Sequence, residues 1–200
     1  MRKSLSIWKA ALCGMFVVVG LAMTQNACAQ LSGSGKLIPL VWNNGKIYFF
    51  QGSEYARYDI AQDTADGDDG SGHSYPRSIR DSWQGLFTDR IDAAVFWPAP
   101  PPRNGRTVAY VFRDNQYIRF DIKNHRADPG YPKPIAGNWP NFKFPDGIDG
   151  ALAWPTKIAS KSVVYFFKGD QYMRYDVDTD RADDHSERGL SYPASVPDNW

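Results

Sequence analysis

The sequence predicts an all-β protein built from repeated units of short antiparallel strands packed as propeller blades. Three observations carry this. A twelve-residue pattern of aromatics around a tight turn occurs three times, each copy is followed by the same downstream spacing, and no apolar stripe of helical period runs for ten residues beyond the N-terminal leader.

The leader comes first in the chain. Residues 1–29 carry Arg2, Lys3 and Lys9, no acid, an apolar run from Ala10 to Met23, and the small-residue ending Ala27-Cys28-Ala29. That is the pattern of a signal peptide cut after Ala29. The apolar run is shorter than the ~20 residues of a membrane span, so no span is expected in the mature form. A lipid anchor through Cys28 is the alternative, opposed by Gln25, which stands where such signals carry an aliphatic residue.

The predicted mature chain, 30–200, holds 20 Lys+Arg against 22 Asp+Glu, a formal charge of −2. So even a balance argues against a nucleic-acid partner and a polybasic membrane contact, and leaves room only for a local basic patch. Cys13 and Cys28 are the only cysteines, and both precede the predicted cut, so the mature domain must be stabilised by packing alone. Seven Trp, eleven Tyr and eleven Phe supply large buried areas, and the Pro and Gly supply turns.

Tyr48 to Asp59, Tyr110 to Asp121 and Tyr165 to Asp176 align without gaps. Each reads as a strand, a turn (Gln51-Gly52-Ser53, Arg113-Asp114-Asn115, Lys168-Gly169-Asp170) and a second strand of alternating character, hence a hairpin. Seven residues after each strand-ending Asp stands another, preceded by Ala: Asp66, Asp128 and Asp183. Then follow Tyr75-Pro76, Tyr131-Pro132 and Tyr192-Pro193, each leading to an aliphatic residue and a Trp four later (Ile79/Trp83, Ile135/Trp139, Val196/Trp200). That spacing predicts one helical turn, with the Pro suited to its first position. Ile91 to Pro98 and Ile148 to Pro155 precede the second and third hairpins as inner strands. The first copy has Ile38-Pro39-Leu40-Val41-Trp42 there, with no Ile-Asp pair in register. Such a unit cannot bury both faces alone, so copies must stack.

The run Tyr165-Phe-Phe-Lys-Gly-Asp-Gln-Tyr-Met-Arg-Tyr-Asp176, preceded by Ile148-Asp-Gly-Ala151 and followed by Tyr192-Pro-x-x-Val196-x-x-x-Trp200, resembles the hemopexin repeat. The resemblance covers nearly all of 38–200, as repeats at about 38–83, 91–139 and 148–200. It is nearest to the single-domain bacterial and plant seed-albumin forms, and it implies a four-bladed propeller. Three copies are seen. The fourth is missing, diverged within 30–47 or supplied by a partner, so a longer protein or a homo-oligomer is expected. The resemblance also implies a channel cation, calcium or sodium, held by main-chain carbonyls at Asp92, Ala94, Asp149 and Ala151, with Asp92 and Asp149 at the channel mouth. The competing reading is that each Asp starts a strand and shapes a turn.

Other chemistry finds little support. The acid-rich stretch Asp63 to Gly70 and the series Asp176, Asp178, Asp180 offer oxygen ligands. The second carries Arg181 where a calcium loop needs Gly, and both read better as turns. His73, His125 and His185 fall at different repeat positions, which disfavours zinc and haem. The repeated Arg57, Arg119 and Arg174 suit local pairing with acids between blades, with a carboxylate-binding ring as the alternative. No nucleophile elbow, catalytic cysteine or phosphate loop is present, and the acids track the repeat, so the chain is read as no enzyme. The expected function is that of a secreted or periplasmic interaction protein holding a protein or glycan partner. The alternative is a small-ligand binder with a metal cation or polyamine in the channel.

Overall fold

The computed structural model describes residues 31–98 and 107–199; the predicted leader with Cys28, and Trp200, lie outside the described residues. The chain divides into two compact units, with the boundary between Ser78 and Ile79.

The first unit holds one antiparallel sheet. Strands β1 (Ile38–Val41), β2 (Lys46–Gln51), β3 (Glu54–Asp59) and β4 (Thr64–Ala65) lie in sequence order, and β5 (Arg77–Ser78) returns to pair with the start of β3. The hairpin has Gln51 opposite Glu54, leaving Gly52-Ser53 as its turn. Gly52 takes φ 58, a conformation that costs glycine nothing. Period-two alternation sorts the aromatics by face. Phe49, Ala56 and Tyr58 cluster with Leu31 on one side, while Tyr55 stands between Phe50, Tyr48 and Tyr75 on the other.

The second unit holds two sheets of the same plan. After a helical turn α1 (Ile79–Ser82) come β6 (Ala93–Phe96), β7 (Val108–Arg113), β8 (Gln116–Asp121), β9 (Arg126–Ala127) and β10 (Lys133–Pro134). Then follow β11 (Gly150–Ala153), β12 (Val163–Lys168), β13 (Gln171–Asp176), β14 (Arg181–Ala182), β15 (Ala194–Ser195) and a second turn α2 (Val196–Asn199). The inner strands β6 and β11 lie against each other. All three repeats therefore fold as blades, including the first, whose inner strand β1 forms in register despite its divergent sequence.

Two details depart from the sequence reading. The prolines do not open the helical turns: Pro76, Pro132 and Pro193 follow cis peptide bonds to their tyrosines, and the next two residues are the short strands β5, β10 and β15. The apolar residue of each turn comes only after that strand. In the second repeat, the stretch from Ile135 to Trp139 is a series of turns rather than a helix.

In the first two repeats the aliphatic residue and the Trp four later are both buried, while Trp200 of the third lies outside the described residues. Trp83 N–H donates to Ile79 C=O at 2.8 Å, and both side chains are buried. Trp83 sits on Phe120 and His125, at ring distances of 5.1 and 5.2 Å. These belong to the second blade, although Trp83 belongs to the first repeat. Trp139 does the same one repeat later, touching Phe112 and Tyr117 of its own blade and Phe166 and Tyr175 of the next. Main-chain bonds fix both hand-overs, from Ala127 N to Gln84 O and from Ala182 N to Pro140 O.

Candidate functional site

Of the predicted channel residues, Ala94 and Ala151 lie on β6 and β11, and Asp92 and Asp149 directly precede those strands. Trp97 N–H bonds Val108 C=O, and Trp154 N–H bonds Val163 C=O, both at 3.0 Å. Antiparallel pairing alternates, so residues two and four before each Trp share that ladder, and the residues between them turn their carbonyls the other way. By the registers of the two sheets, Ala94 and Ala151 are such residues. Their carbonyl oxygens therefore face away from β7 and β12, as a carbonyl-held cation would require. The equivalent position on β1 is Pro39.

The two aspartates serve turns. Asp92 N–H bonds Phe112 C=O at 2.9 Å, and its carboxylate accepts the Asp114 N–H at 2.7 Å in the β7–β8 turn. Asp149 repeats this, bonding Phe167 C=O at 2.7 Å and accepting Gly169 N–H at 2.7 Å. Each carboxylate thus satisfies a hairpin donor about twenty residues away. The first repeat has Leu37 at this place.

Around Asp92 lie residues that the sequence reading did not single out. Arg90 Nε bonds Asp92 at 3.1 Å, and its Nη2 pairs with Asp114. Arg113 pairs with Asp89 and lies 4.3 Å from the Phe87 ring centre. In the third repeat, Gly147 stands at the position of Arg90. With φ +124 and an added Cβ only 2.6 Å from Asp114 O, it admits no side chain. Asp92 is therefore paired with an arginine, and Gly147 brings no side chain to the equivalent place in the third repeat.

The repeated arginines pair locally, within their own repeat and not between blades. Arg57, Arg119 and Arg174 each direct Nε to the Asp of the Ala-Asp pair nine residues on: Asp66, Asp128 and Asp183. Arg174 also grips Glu187 through both Nη atoms, at 2.5 and 2.9 Å. Burial opposes the Arg174 charge, yet Glu187 and Asp183 outweigh it and raise its pKa.

The acid-rich stretches are likewise internal. Asp69 accepts bonds from the Ser71 hydroxyl and N–H, contacts His73, and pairs with Arg77. Ser71 above all holds its carboxyl far below the usual range. Asp63 and Asp180 accept the hydroxyls of Tyr58 and Tyr175. Asp176 and Asp178 receive Lys161 and the Ser162 N–H. Among the described residues, no group of three His, Cys, Asp or Glu side chains is arranged to hold a metal.

Against known proteins, the hemopexin family model matches residues 40–86 and 91–143. The chain belongs to the hemopexin family. Matrix metalloproteinase-21 of Xenopus laevis is 31% identical over 161 residues, 80% of this chain and 26% of that protein. Pig (Sus scrofa) vitronectin is 37% identical over 102 residues, 50% of this chain and 20% of that protein. This hemopexin-family chain thus spans about a quarter of the metalloproteinase. Among solved structures, a plant lectin with two metal binding sites from Cicer arietinum matches with TM-score 0.54 and 26% identity, over 74% of this chain and 66% of the lectin. The family model's two matches end at residue 143, but the third repeat folds on the same plan, with equivalent strands and turn.

Proposed function

We propose that this is an exported, non-catalytic binding module that holds a protein or glycan partner on its blades. The observation that carries this reading is that one hemopexin-type stretch is shared with a protein named as a metalloproteinase and with one that is not. A unit common to both serves recognition rather than the proteinase chemistry. The commitment of the repeat acids to blade cations and turns supports the same reading.

The second reading, a channel cation, is favoured by the outward carbonyls of Ala94 and Ala151 and by the lectin with metal sites. Asp92 and Asp149 would add charge at the mouth, although both carboxylates already serve hairpins. Thermal melts separate the two readings. Ligand at a hundred times its Kd stabilises by about 2.7 kcal/mol, a shift of several degrees. The binding-module reading expects unchanged melting in millimolar calcium, sodium or spermidine, together with a saturable hit on a glycan array or an extracellular-protein panel. A calcium-dependent rise abolished by chelator would move the assignment to the channel.

A further inference from the structure

The three blades differ in the stretch between the Ala-Asp pair and the Tyr-Pro pair. Eight residues separate Asp66 from Tyr75 and Asp183 from Tyr192, but only Pro129 and Gly130 separate Asp128 from Tyr131. The two long stretches fold alike. Residue pairs Asp68/Ser74 and His185/Ser191 form equivalent bridges, and equivalent main-chain bonds run from Tyr75 to Gly67 and from Tyr192 to Asp184.

In the third blade this loop completes the coordination of Arg174. Its Nε takes Asp183 and its Nη pair takes Glu187 from the loop, leaving the side chain 3% exposed. In the first blade the loop supplies the Asp68 carbonyl to Arg57 Nη2 at 3.3 Å. The second blade lacks the loop. Arg119 keeps Asp128 on Nε and the Tyr131 ring 5.6 Å away. Among the described residues, no second carboxylate reaches it, and its side chain is 39% exposed. An open recess of about 340 Å³ adjoins its neighbours Asp128 and Tyr131 and is lined also by Gln84, Gly85, Arg126 and Pro129, while Arg119 itself does not line it.

We infer that the second blade is an acceptor for a peptide carboxylate: an Asp or Glu side chain of a partner takes the Nη edge of Arg119, as Glu187 takes that of Arg174. The protein itself shows the occupant, since the third blade fills the equivalent place with a glutamate on a short polar peptide. A guanidinium fork matches a carboxylate through two parallel bonds, which an ammonium cannot reproduce. The Tyr131 ring backs the cation without competing for its donors. The inference rests on the reading of the protein as a binding module, but it fails separately, since the module could use another face.

The test uses a blocked peptide, His-Ser-Glu-Arg-Gly-Leu-Ser, copied from residues 185–191, and its Glu→Gln form. Both are titrated into the full chain with the Arg119 Nε–H and the Tyr131 main-chain N–H resonances observed by NMR, the second serving for the Arg119→Lys protein. The expected result is a saturable shift with the glutamate peptide, at least tenfold weaker with the glutamine form and at least fivefold weaker with Arg119→Lys protein. Equal affinity of the two peptides, or no shift at Arg119 up to 10 mM, overturns the site. If an oligogalacturonate saturates the same resonance while the peptide leaves it unmoved, the carboxylate belongs to a glycan and the peptide acceptor is wrong. The peptide pair needs no protein variant, so a misfolded Arg119→Lys does not decide the matter. A partner found by the glycan or protein panel that ignores Arg119 keeps the module reading and removes this site.

Discussion

Arg174 and Glu187 show what one residue contributes. The bond from Arg174, more than any other influence, holds the Glu187 carboxyl below its ordinary value. A group whose folded pKa is depressed contributes stability that is fully present above its unfolded value, about 4.3, and is lost as pH falls through the lower folded value. Glu187 is 40% exposed, so the pair is partly screened. Glu187→Gln should cost about 1 kcal/mol at pH 7, less than the ~1.5–3 kcal/mol of charge-assisted bonds because solvent screens the pair. Melting of both proteins at pH 7 and near pH 3 checks the sign. The gap should close at the acid end, and a gap that persists would mean that lost packing rather than lost charge causes the effect.

At the scale of elements, the hand-over of a Trp to the following blade is the contact that the repeat pattern foretold least completely. The pairing of Ile135 with Trp139 was legible as a four-residue spacing, but its destination depends on contacts with Phe166 and Tyr175, which lie 27 and 36 residues downstream. Trp139→Ala removes a side chain only 7% exposed, seated between two blades. A loss of about 3–5 kcal/mol is expected for such a deletion. Chemical denaturation should show a lower midpoint, and a change under 1 kcal/mol would mean the blades hold together without this ring. The hairpins were legible for the opposite reason: turn residues and alternating aromatics act over twelve residues. The short strands β5, β10 and β15 were not, because a two-residue strand is defined by its partner in the sheet rather than by its own sequence. The site was half legible. Asp92 and Asp149 were singled out, but their hairpin donors at Asp114 and Gly169 lie 22 and 20 residues away. The exposed fork of Arg119 appears only when three copies of one arginine are compared in place.

For the whole molecule, the question is what holds the mature chain together and where it begins. The blades described here are stabilised by aromatic packing and by arginine–carboxylate pairs, and both cysteines fall within residues 1–29. If export removes the leader after Ala29, the mature protein begins at Gln30, contains no thiol, and melts at the same temperature with and without reductant. Intact mass of protein recovered from the producing cells, together with paired melts, tests both statements. A mass that retains Cys28 with a lipid increment would replace the free secreted form with an anchored one. It would leave the blades unaltered but confine the Arg119 fork to partners that reach a membrane surface. A melting temperature that falls in reductant would mean that a cysteine remains and takes part in a cross-link. The expected outcome is a reductant-independent melt and a mass beginning at Gln30, because the charged start, the apolar run and the small-residue ending all point to one cut.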